Sequence, residues 1–318
     1  MIWIVGAKGM LGSCFTRRVQ DEGLAFTATD REVDITDSAA VRSFASRLFG
    51  GTDPADGGSA SGNWIVNCAA YTAVDRAEDE PEAAGRLNGT GAGNLAAAAV
   101  ESGAGMLHIS TDYVFDGSAQ RPYTEDDPVC PASVYGRTKL EGEQLVRKAF
   151  SGSSLPWYII RTAWLYGPMG KNFVYTMVSL MNTRPEIRVV SDQRGTPTFT
   201  GDLARCMLML MQSGADAGIY HYSGEGETTW FDFASEIYRI GRQKGRITGT
   251  CAVNPCTSAE YPAKAARPAY SVLSKAKLRH ALGVPLPGWE ESLLAFMSGP
   301  DFVLPGGEKD TKKNPEGT

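Results

Sequence analysis

Tyr135 and Lys139 stand four residues apart in SVYGRTKLEGE, at the start of a run with helical periodicity. On a helix that spacing sets both side chains on one face. A phenol and an ammonium so placed can act together on a carbonyl. The cation draws the phenol's proton affinity down, and the phenol hands its proton to the alkoxide that hydride addition leaves behind. Such a site also needs a second hydrogen-bond donor at the reacting oxygen. HISTDYVFDG offers one in Thr111, where an apolar run ends in Ser110, Thr111 and Asp112. Tyr-x-x-x-Lys alone is common on solvated helix faces, so its weight comes from what accompanies it.

A hydride needs a carrier, and the N-terminus shows where one would sit. GAKGMLG places Gly6, Gly9 and Gly12 after a short apolar run, at the opening of a helical pattern that includes Met10 and Leu11. Glycine is required where a backbone turns tightly against a pyrophosphate, and the free amides of a helix N-terminus then face the phosphates. Asp30 ends the second apolar run, where a carboxylate would hold a ribose hydroxyl. Arg31 beside it would instead meet a 2′-phosphate, so the residues admit NADH or NADPH. In DITD, Asp37 reads as a helix cap, while Asp34 and Ile35 lie in the loop that borders adenine in this architecture. Ala69 and Ala70, followed by Tyr71, end the third apolar run. Small residues there let the backbone lie against a cofactor, and equally suit tight strand-to-helix packing.

The elements that position these residues alternate. MIWIVG, AFTATD, WIVNCAA, GMLHIST and WYIIRTAW read as strands, and Met10 to Asp21, Ser38 to Phe49, Pro81 to Ser102 and Tyr135 to Phe150 as helices between them. That rhythm predicts an α/β fold, a Rossmann-type doubly wound parallel sheet, over residues 1–164. Residues 165–298 change to helices with brief strands, predicted at Asn172 to Met181, Thr200 to Gln212, Trp230 to Gly241 and Trp289 to Met297. This is a smaller, mostly helical substrate lobe, parts of which are free to rejoin the sheet. Residues 50–63 are rich in Gly, Ser and Asp and read as a flexible insertion; residues 299–318 read as a disordered tail.

The motifs GAKGMLG, VNCAAYTAVDRAEDEP, STDYVFDG, VYGRTKLEGE, RTAWLYG, NFVYTM, SDQRGTPT and WFDFASEIY together resemble the dTDP-4-dehydrorhamnose reductases, a family of extended short-chain dehydrogenases/reductases. The resemblance covers roughly Met1 to Met297. It implies reduction by NADPH or NADH of the 4-keto group of dTDP-4-dehydro-L-rhamnose to dTDP-L-rhamnose. Thr111, Tyr135 and Lys139 would be the catalytic set, with Lys139 also on the nicotinamide ribose. Thr111, Asp112, Tyr113, Trp164, Phe173 and Arg267 would meet the nucleotide sugar, Arg267 at its diphosphate and the aromatic rings at the thymine or sugar. Arg194 is a further candidate for the diphosphate but suits a solvated position better; Tyr166 joins Trp164 among the aromatic candidates. A dehydratase would carry a glutamate after Thr111-Asp112, where this chain has Tyr113. An epimerase of another nucleotide-4-keto sugar uses the same Tyr and Lys, and the beta subunit of methionine adenosyltransferase shows that a similar chain can act as a regulator. The family's Mg²⁺ at a dimer interface corresponds to Glu290 and Glu291, but Cys14 stands where a first-helix carboxylate would be needed. A thiolate suits Mg²⁺ poorly, so no metal is expected. A homodimer is compatible with the resemblance.

Composition excludes other classes. The chain has 318 residues, 42% of them hydrophobic, enough for one large core or two joined ones. A net charge of -5 with Lys and Arg scattered gives no basic field for nucleic acid or anionic lipid. Six cysteines form no Cys-x-x-Cys pair, as a reducing cytoplasm allows. No segment reads as a signal peptide or a membrane span. His108, His221 and His280 are scattered and read as structural.

Overall fold

The computed structural model describes residues 1–50 and 62–304. The expected 50–63 insertion and 299–318 tail therefore lie mostly outside the described residues. Phe302, inside the expected tail, is buried against Tyr175 and Phe296.

In chain order the strands are β1 (Ile2–Val5), β2 (Phe26–Thr29), β3 (Trp64–Asn67), β4 (Gly105–Thr111), β5 (Trp157–Thr162), β6 (Leu165–Tyr166), β7 (Glu186–Val190), β8 (Arg194–Gly195), β9 (Thr198–Phe199), β10 (Gly218–His221), β11 (Thr228–Thr229) and β12 (Ala252–Cys256). The helices are α1 (Met10–Asp21), α2 (Ser38–Phe49), α3 (Val74–Ala77), α4 (Pro81–Gly85), α5 (Gly91–Glu101), α6 (Val134–Ala149), α7 (Phe173–Thr183), α8 (Thr200–Gln212), α9 (Trp230–Gln243), α10 (Ala276–Leu282) and α11 (Trp289–Ser298).

Six strands form one parallel sheet in the order β10-β5-β4-β3-β1-β2. β1 and β3 are buried at every residue, as strands covered on both faces must be. One face is covered by α1 and α8, where Phe15 and Val19 meet Leu203 and Met207; the other carries Val41 and Ala45 of α2, Leu95 and Ala99 of α5 and Val146 of α6. The chain leaves β1 for β2 and returns to β3 on β1's other side, so the strand order reverses between β1 and β3. Ligands of open α/β sheets bind beyond the carboxyl ends of the strands at such a point. The sixth strand comes from the later chain: β10 joins the edge of β5, and α8 packs with it. The remaining strands form three two-stranded pieces around a separate aromatic core of α7, α9 and α11.

α2 and α8 have the bounds expected of them, α2 starting at Asp37, whose carboxylate accepts from the amides of Ala39 and Ala40. The expected helix from Pro81 to Ser102 is instead α4, a π-helical turn (Arg86–Thr90) and α5. The turn accommodates close neighbours at its glycines: a Cβ on Gly89 would lie 2.6 Å from Glu141 Cδ, and one on Gly91 2.7 Å from Ile35 Cδ1. Among the described residues no helix is long and apolar enough to cross a membrane.

Candidate active site

At the β1/β3 reversal, Gly6 has φ +75°, and a Cβ there would come within 2.7 Å of the Ala69 amide nitrogen. A Cβ on Gly12 would lie 2.1 Å from the Gly6 carbonyl oxygen. The loop thus closes only with glycine at both places. Gly9 caps α1 without a side chain, leaving the first amides of the helix unsatisfied by the chain itself. A cradle without Cβ atoms beside uncapped amides fits a pyrophosphate. Met10 is half-buried, while Leu11 turns into the core and can offer only its backbone.

Asp30 is half-buried at the end of β2, and its amide donates to Glu32 Oε2 at 2.6 Å. Glu32 in turn pairs with Lys8 of the glycine loop at 2.5 Å, and Lys8 with the two backbone bonds holds that carboxyl down to about 2. Arg31 is exposed. Asp34 closes a local turn by accepting from the amide and hydroxyl of Thr36. The Ile35 side chain, in the loop expected to border adenine, is buried against α5. Ala69 lies against Gly6, and Ala70 follows it, half-buried. The Tyr71 amide donates to Asn88 Oδ1 at 2.8 Å and its hydroxyl to Glu80 at 2.6 Å. Asn88, which sequence reasoning missed, sits in the π-helical turn and ties Tyr71 O to Thr138 Oγ1 of α6. The run of Gly85, Gly89 and Gly91 was the only trace of it.

The chemical groups gather where β4 ends and α6 begins. Ser133 caps α6 by accepting from the Gly136 amide at 3.1 Å, and Gly136 has no side chain because a Cβ would lie 2.2 Å from Tyr113 O. This close approach brings the Tyr135 ring edge-on to Tyr113, centroids 5.5 Å apart, two residues along from Thr111. The Thr111 hydroxyl accepts from the Tyr113 amide at 3.2 Å and donates to Asp112 Oδ1 at 2.9 Å. Its single proton is therefore already directed at Asp112, and polarising a substrate carbonyl requires the hydroxyl to turn. Asp112 is buried, its Oδ2 has no hydrogen-bond partner, and burial lifts its carboxyl to about 6 against the pull of Ser271 and Thr111.

Lys139 is buried on the same face of α6. Its Nζ donates to Ile109 O at 2.6 Å and lies 3.5 Å from His108 Nε2; burial brings the amine down to about 8. Loss of solvent around the half-buried ring pushes the Tyr135 phenol above its ordinary value, with Asp112 and Tyr113 adding to the shift. One further turn along, Glu143 accepts two bonds from Arg161 at 2.9 and 2.7 Å and one from Ser110 at 2.5 Å.

The opposite wall is aromatic. Trp164 is the only non-glycine among the described residues with positive φ, at 48°. Its ring stacks on Trp230, centroids 3.6 Å apart and planes within 12°. Gly195 permits this, since a Cβ there would lie 2.6 Å from the indole and 2.9 Å from Ser271 Oγ. Phe173 opens α7 against Trp230 and Phe233, and the Tyr166 ring is buried among Phe199, Phe233 and Phe296. Arg267 binds Asp75 Oδ2 at 2.6 Å and the Tyr113 hydroxyl at 3.1 Å. Arg194 pairs with Glu227 on the surface. Glu290 and Glu291 lie in the first turn of α11, and Cys14 contacts Thr200 Oγ1 at 3.1 Å.

A glycine cradle at the sheet's reversal, with Tyr135, Lys139 and Thr111 at the same carboxyl edge, defines the class: a short-chain dehydrogenase/reductase on a Rossmann-type sheet. The model of the RmlD substrate binding domain family matches residues 1–299, and the chain belongs to that family. It is 42% identical over 297 residues to a dTDP-4-dehydrorhamnose reductase of Mycolicibacterium smegmatis, covering 92% of this chain and 83% of that protein. A solved dTDP-4-dehydrorhamnose reductase of Clostridium acetobutylicum superposes with a TM-score of 0.83 at 41% identity, over 93% of this chain and 98% of the other. One from Bacillus anthracis, in complex with NADP, gives a TM-score of 0.83 at 35% identity with the same coverage of each chain.

Proposed function

We propose that Thr111, Tyr135 and Lys139 carry out in this chain the reaction of its family. The protein is an NAD(P)H-dependent oxidoreductase that reduces the 4-keto group of dTDP-4-dehydro-L-rhamnose to give dTDP-L-rhamnose. Bound in the cradle of Gly6, Gly9 and Gly12, the nicotinamide nucleotide supplies the hydride.

The chain's own residues do the rest. Tyr135, half-buried and raised above its ordinary value, meets the substrate as a phenol and can release that proton to the C4 oxygen as negative charge develops there. The Thr111 hydroxyl, turned from Asp112, gives the same oxygen its second hydrogen bond. Lys139 sits behind the phenol and can hold the nicotinamide ribose. On the far wall Trp164 and Phe173 orient the sugar and base, Tyr113 and Asp112 line the approach, and Arg267 leaves Asp75 for the diphosphate. Residues 165–298, apart from α8 and β10, form the sugar-binding part.

The observation that carries this reading is the packing of Tyr135 of α6 against Tyr113, just after Thr111 at the end of β4, at the carboxyl edge shared with the Gly6–Ala69 cradle. The test is a coupled assay of the pure protein with several dTDP-4-keto sugars and either NADPH or NADH. Oxidation of the coenzyme with the dehydrorhamnose substrate is expected; tight nucleotide binding without turnover on any sugar would make the chain a regulator instead.

A further inference from the structure

His108 lies on β4, fully buried, and none of the steps above uses it. Strands β3 and β4 pair Asn67 with His108, and the Asn67 Nδ2 stands 3.0 Å from His108 Nδ1. The orientation of the Asn67 amide is set on its other side, because Oδ1 accepts from the Ala69 backbone N–H at 3.0 Å. Turning the amide over would set two donors against each other. Asn67 therefore offers N–H to Nδ1, which must be the ring's lone-pair nitrogen, and the ring proton is on Nε2. That nitrogen is the one 3.5 Å from Lys139 Nζ.

We propose that His108 is a positioning residue for Lys139, held by Asn67 in the Nε2–H tautomer so that it presents a donor, not an acceptor, to the lysine amine. An ammonium there faces an N–H it cannot bind, whereas a neutral amine can accept from it while donating to Ile109 O. The imidazole stays neutral, since burial and then Lys139 itself push its proton affinity down; a charged ring would keep the Nε2–H and set a second N–H against Asn67. Other groups facing the amine pull the opposite way: Glu143 on its own helix and Cys68 beyond β3 favour the charged form, and Glu143 is already bound to Arg161 of β5. Burial brings the amine down to about 8, and an imidazole that offers no acceptor does nothing to restore it. The amine can so follow the charge that appears at Tyr135 when the phenol gives up its proton. The same chain of contacts ends at Ala69, against Gly6 of the cofactor cradle.

This rests on the assignment of Lys139 to the reaction, so the test has two arms. In the first, the full chain is labelled with ¹⁵N-histidine; its three histidines make the spectrum tractable. The protonated ring nitrogen of His108 should couple to both ring protons, as Nε2 does. A protonated Nδ1, or an imidazolium at pH 7, overturns the proposal. In the second, Lys139 is titrated by NMR in ¹³C-lysine-labelled protein, and the pH profile of kcat/KM is measured at saturating NADPH, for wild type and His108→Gln. The glutamine can turn an oxygen to the ammonium. Its Lys139 titration, and with it the alkaline limb of the profile, should move up by about one pH unit. A lower plateau with the titration in place would show a merely structural role and overturn the proposal. A moved titration with an unmoved profile would uphold the His108–Lys139 relation and remove Lys139 from catalysis.

Discussion

The two walls of the site hold their side chains by different means. On the wall of β4 and α6, charged groups are buried, and two of them one helical turn apart are treated in opposite ways. Glu143 accepts from Nε and Nη2 of Arg161 and from Ser110. Lys139 receives one carbonyl and the edge of an imidazole. On the wall of β6, β8 and α9, no charge is involved; Trp164 is clamped between Trp230 and Gly195 at the cost of a left-handed backbone. Both walls carry groups left short of partners among the described residues: Asp112 Oδ2, Arg161 Nη1 and the Tyr166 hydroxyl are buried without a hydrogen bond, Lys139 has no ion-pair partner, and Trp164 has a left-handed φ.

The strongest way to break the comparison is to strip the buried ion pair. Arg161→Met leaves Glu143 ionised and buried with only Ser110, and the loss of stability should reach about 3–5 kcal/mol, read as the midpoint of urea unfolding. A change below about 1 kcal/mol would mean that the pair is no firmer than a surface ion pair. Next in size, Tyr135→Phe should lower turnover about a thousandfold, near 4 kcal/mol of barrier, while stability and NADPH affinity stay as they were. Wild-type turnover in this variant would remove Tyr135 as the proton donor.

Lys139→Met should do the reverse of Arg161→Met. At pH 7 the amine is charged in folded and unfolded chain alike, and the folded chain carries the full penalty of burying it. Between about 8 and 10.5 the folded chain gives up the proton first, so wild-type stability climbs with pH in that window. The variant should be more stable at pH 7 by up to about 3 kcal/mol, should lose the climb, and should lose activity. Destabilisation at pH 7 would show that Lys139 is held as firmly as Glu143.

Much of this was legible before any coordinates. The glycine spacing, Asp37 as a cap and the bounds of α2 and α8 follow from short-range chemistry: periodicity, capping and Cβ exclusion. What was not legible depends on pairing between distant segments. The place of β10 in the sheet follows from its register with β5, which no local pattern encodes. The π-helical turn exists because Glu141 and Ile35 crowd two glycines of one run and Asn88 reaches Tyr71 and Thr138. Spacing put Lys139 on the face of Tyr135 but could not show that the amine is buried against Ile109 O and His108. His108 read as a lone structural histidine because its partners are set by the β3–β4 register.

The finest test of the aromatic wall compares two substitutions of one residue. Trp164→Ala and Trp164→Gly both remove the ring that stacks on Trp230, so both should lower kcat/KM for the sugar about ten- to a hundredfold through lost positioning. NADPH affinity should hold in both, because the cradle lies at the β1/β3 reversal. The variants differ only in the backbone. At φ 48° alanine keeps the clash between Cβ and carbonyl that glycine lacks, so the glycine variant should be the more stable by about 1 kcal/mol. Its greater unfolded-state freedom works against that gain, which makes a positive difference the more telling. Glycine no better than alanine would show that the left-handed turn carries no strain, and equal losses of sugar and NADPH binding would place Trp164 in the core instead of the wall.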